Sequence, residues 1–148
     1  MKGGAVIAVD TNILVYAHRA DSPWHKAAKQ ALTGLAESNR PWSIAWPSVH
    51  EFLAVVTNPR IYKPPTPLPA ALRQIEAWME SPSLVMLCEG TNYWTTLTDL
   101  VIQAKSVGAS IHDARIAAIC LEHGVEKLWS ADRDFSRFVD LKVSNPLH

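Results

Sequence analysis

The side chains best suited to chemistry in this sequence are acids that follow predicted strands. Asp10 comes directly after the β-branched run at residues 5–9, and Asp132 follows the apolar segment 127–130, with Asp134 two residues later. In an open α/β sheet, ligands bind in the crevice beyond the carboxyl ends of the strands. We therefore predict that these acids border one crevice.

Two further acids lie on predicted helices. Glu51 stands alone as an acid in the apolar segment 49–56, and Asp113 shares a helical face with Ile116, Ala117 and Cys120. An ionised carboxylate on a helix face that points to the core costs several kcal/mol unless it is paired. Glu51 therefore predicts a partner for its carboxylate.

Each acid also has an ordinary structural explanation. Asp10 is a suitable helix N-cap, Asp132 and Asp134 are typical turn residues, Asp113 lies in a helix first turn, and a basic partner would neutralise Glu51. A single shared cause accounts for all of them more simply. That cause is a divalent cation held by several carboxylates.

Mg²⁺ and Mn²⁺ fit such a cluster because both are hard ions that take oxygen ligands and keep several waters. Without the ion, close carboxylates repel one another, and at least one pKa rises. With it, the site orients a phosphodiester and activates water. We predict Mg²⁺ or Mn²⁺ as the cofactor.

The elements that must position these acids alternate along the chain. We predict strands at 5–9, 43–46, 84–88, 127–130 and 141–143, and helices from about residue 13 and at 24–37, 49–57, 70–80, 92–107 and 112–123, with Gly108 and Gly124 ending the last two. This alternation predicts an α/β fold around a mostly parallel sheet of about five strands.

A proline-rich segment interrupts this pattern. Residues 59–69 contain Pro59, Pro64, Pro65, Pro67 and Pro69, half of the ten prolines of the chain. Regular structure does not continue through such a stretch, so we predict an extended loop or lid. A linker between two domains is the alternative, but neither flank is long enough to fold alone.

Composition limits the class of protein. The 148 residues are 48% hydrophobic and 19% charged, which excludes a disordered chain and predicts a single domain over 1–148. No apolar run approaches the ~20 residues of a membrane span, and the first one ends at Asp10, too soon for a secretory signal. Cys88 and Cys120 have no disulfide or metal-site spacing, so we predict buried thiols in a cytoplasmic protein.

The charge balance bears on nucleic-acid binding. Fourteen basic and fourteen acidic side chains give a net charge of zero, which disfavours a simple DNA-binding module. It does not disfavour a nucleic-acid enzyme, in which bound metal supplies positive charge.

Four motifs in order resemble those of a PIN domain, and most closely those of the VapC-type toxins of bacterial and archaeal toxin–antitoxin pairs. They are Ala-Val-Asp10-Thr-Asn-Ile-Leu, Pro-Ser-Val-His-Glu51-Phe, Ile-His-Asp113-Ala-Arg-Ile-Ala-Ala and Ser-Ala-Asp132-Arg-Asp-Phe. Each motif alone is weak, but the ordered set extends over nearly the whole chain. The segment 59–69 matches no motif of the family.

The resemblance implies a three-layer α/β/α PIN-like fold and a Mg²⁺- or Mn²⁺-dependent endoribonuclease. It also implies a homodimer that a cognate VapB-type antitoxin silences. The four acidic positions of the family carry over to Asp10, Glu51, Asp113 and Asp132 as catalytic and metal-binding residues, Asp134 matches an additional metal-binding acid, and Thr11, Asn12 and Ser130 would steady the carboxylates.

Basic and aromatic residues near these motifs are candidates for RNA contacts. We predict that Arg19, Arg115 and Arg133 bind backbone phosphates. Trp24, Trp42 and Trp46, near element ends, are candidates for base stacking, whereas Trp78, Trp94 and Trp129 are predicted to lie in the core. Two alternatives to the nuclease remain: a PIN-like binding module without turnover, and a metal-dependent phosphatase.

Overall fold

A five-stranded, entirely parallel sheet forms the centre of the computed structural model, which describes residues 7–148. Its strands are β1 (Ile7–Val9), β2 (Trp42–Ala45), β3 (Leu84–Leu87), β4 (Lys127–Trp129) and β5 (Val143–Ser144), in the spatial order β3-β2-β1-β4-β5. The predicted parallel sheet is confirmed. The start of the first predicted strand, residues 5–6, lies outside the described residues.

Helices connect the strands. They are α1 (Thr11–His18), α2 (His25–Ala36), α3 (Trp46–Val56), α4 (Leu68–Met79), α5 (Tyr93–Ala104) and α6 (Ser110–Glu122), and a 3-10 helix spans Arg133–Arg137. None of the helices within residues 7–148 combines the length and the apolar composition that crossing a bilayer requires.

Neighbouring residues of the central strands point to opposite faces of the sheet and enter two separate cores. Val9 and Ile44 pack with residues of α1, α2, α3 and α4, whereas Ala8 and Ala45 pack with residues of α5 and α6. Helices therefore cover both faces, and the expected three-layer α/β/α architecture is confirmed.

The strand order reverses next to β1. The chain builds outward from β1 through β2 to β3, and then crosses to β4 and β5 on the other side of β1. Such a switch point opens a crevice at the carboxyl ends of the central strands. Asp10 follows β1 and Ser130 follows β4, so both residues stand at this crevice.

Several element boundaries differ from the predicted ones for identifiable reasons. Helix α3 begins at Trp46 rather than near residue 49, because Pro47 occupies the first turn, where its missing N–H needs no partner. The stop predicted at Gly108 is wrong: α5 ends at Ala104, and Lys105 adopts the left-handed conformation with φ 54°. Gly124 does follow α6 with φ 68°, as predicted.

Two tryptophan placements and one cysteine placement are corrected. Trp94, predicted to lie in the core, is 71% exposed on α5, whereas Trp42, a stacking candidate, is 0% exposed in β2 and donates its indole N–H to Ser81. Cys88 is exposed because it follows the end of β3, and Cys120 is buried in α6 as predicted.

The proline-rich segment forms the predicted loop between α3 and α4, although Leu68 and Pro69 already belong to the first turn of α4. The Thr66 N–H donates to the carbonyl of Val56 at 2.8 Å. This bond fastens the segment to the end of α3.

Candidate active site

Asp10 lies at the base of the crevice. It is 4% exposed, and its backbone N–H donates to the carbonyl of Trp129 at 2.9 Å, which joins the ends of β1 and β4. Asp10 occupies the N-cap position of α1, but its carboxylate makes no capping hydrogen bond. It accepts one from the Ser130 hydroxyl at 2.8 Å instead. Helix capping therefore does not explain this carboxylate.

Ser130 is the centre of a hydrogen-bond network across the crevice. Its hydroxyl oxygen accepts bonds from the Asn12 side-chain amide at 3.2 Å and from the Asp132 N–H at 3.0 Å. The Asn12 carbonyl oxygen in turn accepts from the Ala131 N–H at 3.2 Å. The network fixes the loop after β4 relative to the start of α1.

Glu51 reaches the crevice from α3. Its Oε1 accepts a 2.7 Å hydrogen bond from the Thr11 hydroxyl, and the side chain is half-buried rather than turned into the core. Among residues 7–148 only two ion pairs form, Arg19–Asp21 and Arg115–Glu89, so Glu51 has no basic partner there. A structural salt bridge is therefore not what holds Glu51 in place.

Three aspartates bring their carboxylate groups together. Asp113, Asp132 and Asp134 each place one carboxylate oxygen so that the three atoms lie within 4.8 Å of one another. Asp132 caps the 3-10 helix, since its Oδ1 accepts from the Asp134 N–H at 2.8 Å. The turn role predicted as an alternative for Asp132 is correct, and it orients the carboxylate toward the cluster.

One cavity of about 410 Å³ joins these groups. Its lining includes Asp10, Glu51, Asp113 and Asp132, which come from four different parts of the chain. Thr11 and Asn12 also line it, whereas Asp134 does not line it and is connected to it through the cluster with Asp113 and Asp132. We name it the carboxylate cavity.

Burial, with a smaller contribution from neighbouring carboxylates, raises the pKa of two of these acids. Burial raises the pKa of Asp10 to about 7, with smaller contributions from Glu51 and Asp113, while the Ser130 hydrogen bond opposes the change. Burial and the charges of Asp132 and Glu51 raise the pKa of Asp113 to about 6. Groups of like charge held this close favour a cation among them.

The donor set fits a hard divalent cation. All the candidate ligands are carboxylate oxygens, and histidine or cysteine takes no part in the cluster formed by Asp113, Asp132 and Asp134. Mg²⁺ and Mn²⁺ prefer such ligands, whereas zinc sites favour nitrogen or sulfur. An ion bound here would coordinate these carboxylates. Coordination would remove the repulsion between them that contributes to the raised pKa of Asp113.

The three predicted phosphate-binding arginines have different surroundings. Arg19 pairs with Asp21 at 2.6 Å, lies 4.3 Å from the centre of the Tyr62 ring and donates to the Thr66 hydroxyl at 3.2 Å. Arg115 pairs with Glu89 at 3.2 Å. Arg133 is exposed at the start of the 3-10 helix.

Sequence reasoning missed two tyrosines in the carboxylate cavity. Tyr16 lies one turn after Asn12 on α1, so helical spacing from the first motif was a usable signal. Tyr62 lies in the proline-rich segment, and nothing in the local sequence places it in the same cavity as Asp10. The lining of the carboxylate cavity therefore combines acidic and aromatic side chains.

Comparison with known proteins assigns the family. The family model described as "PIN domain" matches residues 7–141. A VapC ribonuclease of Mycobacterium bovis and Ribonuclease VapC43 of Mycobacterium tuberculosis are each 35% identical to this chain over 142 residues, which is 96% of this chain and 96% of each relative. The chain belongs to the PIN domain family. Its relatives within that family include VapC ribonucleases.

Solved structures share the fold at low sequence identity. VapBC-1 from nontypeable Haemophilus influenzae matches with a TM-score of 0.70 at 17% identity, covering 96% of this chain and 98% of that one. VapC20 of Mycobacterium tuberculosis, described as a sarcin-ricin loop cleaving toxin, matches with a TM-score of 0.66 at 16% identity, covering 88% and 92%. Both agree with the three-layer architecture.

Proposed function

We propose that this protein is a Mg²⁺- or Mn²⁺-dependent endoribonuclease and the toxin of a VapBC-type toxin–antitoxin pair. The observation that carries the proposal is the carboxylate cavity, in which four acids from separate elements meet at the switch point of a PIN-family sheet. Homology to ribonucleases over 96% of the chain supports RNA as the substrate.

The aspartates are the proposed metal ligands. Asp113, Asp132 and Asp134 supply three oxygens in mutual reach, and Asp10 lines the same cavity as Asp113 and Asp132. When bound, the ion polarises the scissile phosphodiester, favours ionisation of water and neutralises charge on the leaving oxygen. Ser130, Asn12 and Thr11 hold the carboxylates in place through the hydrogen bonds described above.

Glu51 is the proposed proton acceptor. Thr11 donates to one of its oxygens, Oε1, and the side chain lines the cavity, so Oε2 is the oxygen proposed to take the proton. Water attacks the phosphorus in line and passes a proton to Glu51, while the bond from phosphorus to the 3′-oxygen breaks and the leaving 3′-oxygen takes a proton from solvent water. The products are a 5′-phosphate and a 3′-hydroxyl.

Cleavage of a panel of structured rRNA and tRNA by the antitoxin-free protein tests this proposal. We expect cleavage with Mg²⁺ or Mn²⁺, and none with EDTA or with Asp113→Asn. The matched control is Asp99→Asn, which changes an exposed acid on α5. Ends carrying a 5′-phosphate support the mechanism. Cleavage that survives Asp113→Asn, or hydrolysis of p-nitrophenyl phosphate in place of RNA, contradicts it.

The partners follow from the same proposal. The solved neighbours that share the fold include VapBC complexes, and we propose a VapB-type antitoxin and a homodimer for this chain. Light scattering of the purified protein, alone and with the product of the adjacent gene, tests both. Cell fractionation tests the proposed cytoplasmic location. Thermal unfolding tests the prediction that residues 1–148 form one domain, for which we expect a single cooperative transition.

A further inference from the structure

A second cavity continues from the carboxylate cavity along the protein surface. It has a volume of about 680 Å³, and it shares Tyr16 and Asp132 with the carboxylate cavity. That volume is within the range of about 300–1,000 Å³ that small-ligand sites occupy. A molecule whose reacting bond lies at Asp132 can therefore extend into the second cavity without leaving the protein.

Two aromatic rings stand at the start of the second cavity. The Tyr16 and Trp24 rings are 4.9 Å apart between centroids, and both residues line the cavity. Trp24 is 46% exposed although it packs on Tyr16, so much of its indole surface is open to solvent. Exposed indole faces beside a catalytic cleft are suited to stack on a planar ring.

The same cavity has a cationic side. Arg133 lines it, is exposed, and takes part in neither of the two ion pairs found among residues 7–148. Its guanidinium is therefore available for an anion, whereas Arg19 and Arg115 are paired with acids. An aromatic wall and a cationic wall together match a nucleotide, which has a planar base and a phosphate.

We propose that the second cavity binds an unpaired nucleotide next to the scissile phosphate, with its base stacked on Trp24 and its phosphate contacted by Arg133. The inference rests on the proposed ribonuclease function and assigns two residues of this chain to substrate binding. A base already stacked within a duplex cannot reach Trp24 without leaving its pair.

Binding and cleavage by Trp24→Ala test the proposal separately. Binding is measured in the Asp113→Asn background by the fluorescence anisotropy of a labelled, unstructured 12-nucleotide RNA, with a 12-base-pair RNA duplex as the comparison probe. We expect Trp24→Ala to raise the Kd for the single strand about tenfold, as loss of one base–aromatic stack does, and to change duplex binding less than twofold. Trp24→Phe restores most of the affinity.

Cleavage gives the second readout. In the active protein, Trp24→Ala raises KM for single-stranded RNA about tenfold and leaves kcat within twofold, because the ring does not touch the reacting atoms. Arg133→Ala raises KM for single-stranded RNA. It also reduces the slope of log Kd against log salt concentration by about one, because one fewer counterion is released on binding. The matched control is Trp94→Ala, since Trp94 is the other strongly exposed tryptophan among residues 7–148 and lines neither cavity.

The outcomes separate this inference from the ribonuclease proposal. Metal-dependent cleavage with the same KM in Trp24→Ala and in the unaltered protein overturns the nucleotide site and leaves the nuclease intact. Selective loss of single-strand binding without any cleavage supports the site and contradicts the nuclease. Equal effects of Trp24→Ala and Trp94→Ala, or an effect on antitoxin affinity alone, also overturn the site.

Discussion

The Thr11 hydroxyl donates a 2.7 Å hydrogen bond to Glu51, and so joins the first residue of α1 to the middle of α3. The two residues are 40 positions apart in the chain. The bond holds one carboxylate oxygen of Glu51, whose side chain lines the carboxylate cavity. Orientation of this kind makes Thr11 a positioning residue.

Thr11→Val keeps the shape of the side chain and removes the hydroxyl. We expect kcat to fall about tenfold with little change in KM or Tm, because outer hydrogen-bond partners of site groups typically contribute 10–100-fold. Thr95→Val, at an exposed position on α5, is the control. A large loss of Tm, or a raised KM at an unchanged kcat, would contradict the positioning role.

Ser130→Ala removes the donor that the buried Asp10 carboxylate uses. We expect destabilisation of about 1–3 kcal/mol at pH 8, since a buried acceptor loses its partner. The Ser130 bond lowers the pKa of Asp10, so the pKa rises further in the variant. Thermal unfolding at pH 8 measures the loss, and Ser136→Ala, at an exposed position, serves as the control. Equal Tm values for the two variants would show that the bond contributes nothing.

Acid–base titration of Asp10 predicts how the metal-free protein responds to pH. The pKa is about 7 in the folded state against 3.8 for the free side chain, so the folded state binds the proton more tightly. Stability is therefore highest below about pH 4 for this group and falls as the pH rises toward 7, by on the order of 2 kcal/mol between pH 5 and 8. Urea unfolding in EDTA measures this slope.

Asp10→Asn provides the comparison for that experiment, because it cannot ionise. We expect its stability to change less between pH 5 and 8 than that of the unaltered protein. A steeper fall in the variant would mean that another group controls the titration.

A divalent metal ion should restore the folding stability that the metal-free protein loses as the pH rises and Asp10 ionises. Adding Mn²⁺ at pH 8 should raise Tm, because only the folded state brings Asp113, Asp132 and Asp134 within 4.8 Å of one another. Asp132→Asn should abolish most of the increase, and Asp140→Asn, at an exposed position outside the cluster, should retain it. An unchanged Tm at millimolar Mn²⁺ would contradict a metal site.

Arg19 is expected to act on the proline-rich segment. It bonds to Thr66, stacks on Tyr62 and pairs with Asp21, so its guanidinium connects the end of α1 to residues 59–69. Arg19→Ala should speed trypsin cleavage after Arg60 several-fold, whereas Arg73→Ala on α4 should not. The opposite result, a raised KM for RNA at an unchanged proteolysis rate, would support the predicted role in phosphate binding instead.

The fold could be predicted because its signals are local. Apolar strands such as residues 84–88 and helical stops such as Gly124 follow from backbone preferences and periodicity that a short window of sequence contains. Lys105 was missed because its left-handed conformation carries no side-chain signal, and Gly108 offered a stronger but incorrect one. Solvent exposure of Trp94 depends on what packs over α5, which no local pattern records.

The acids of the site were predictable from the energy cost of their positions, whereas their surroundings were not. Glu51 stood out as the acid of an apolar helix, and Asp10 as the acid after a buried strand. Tyr62 lines the carboxylate cavity because of the course that the segment 59–69 takes. In that position its ring contacts Arg19. Long-range placement of this kind is set by packing and not by residue type.

The hydrogen bond from Ser130 to Asp10 spans 120 residues of chain. A nascent polypeptide that has exposed only its first strands and helices holds Asp10 and Glu51 but lacks the aspartates that complete the cluster. At typical synthesis rates of about 5–20 residues per second, the delay between Asp10 and Ser130 is on the order of ten seconds. A chain that has not yet reached β4 therefore lacks Ser130, Asp132 and Asp134, and its carboxylate cluster is incomplete.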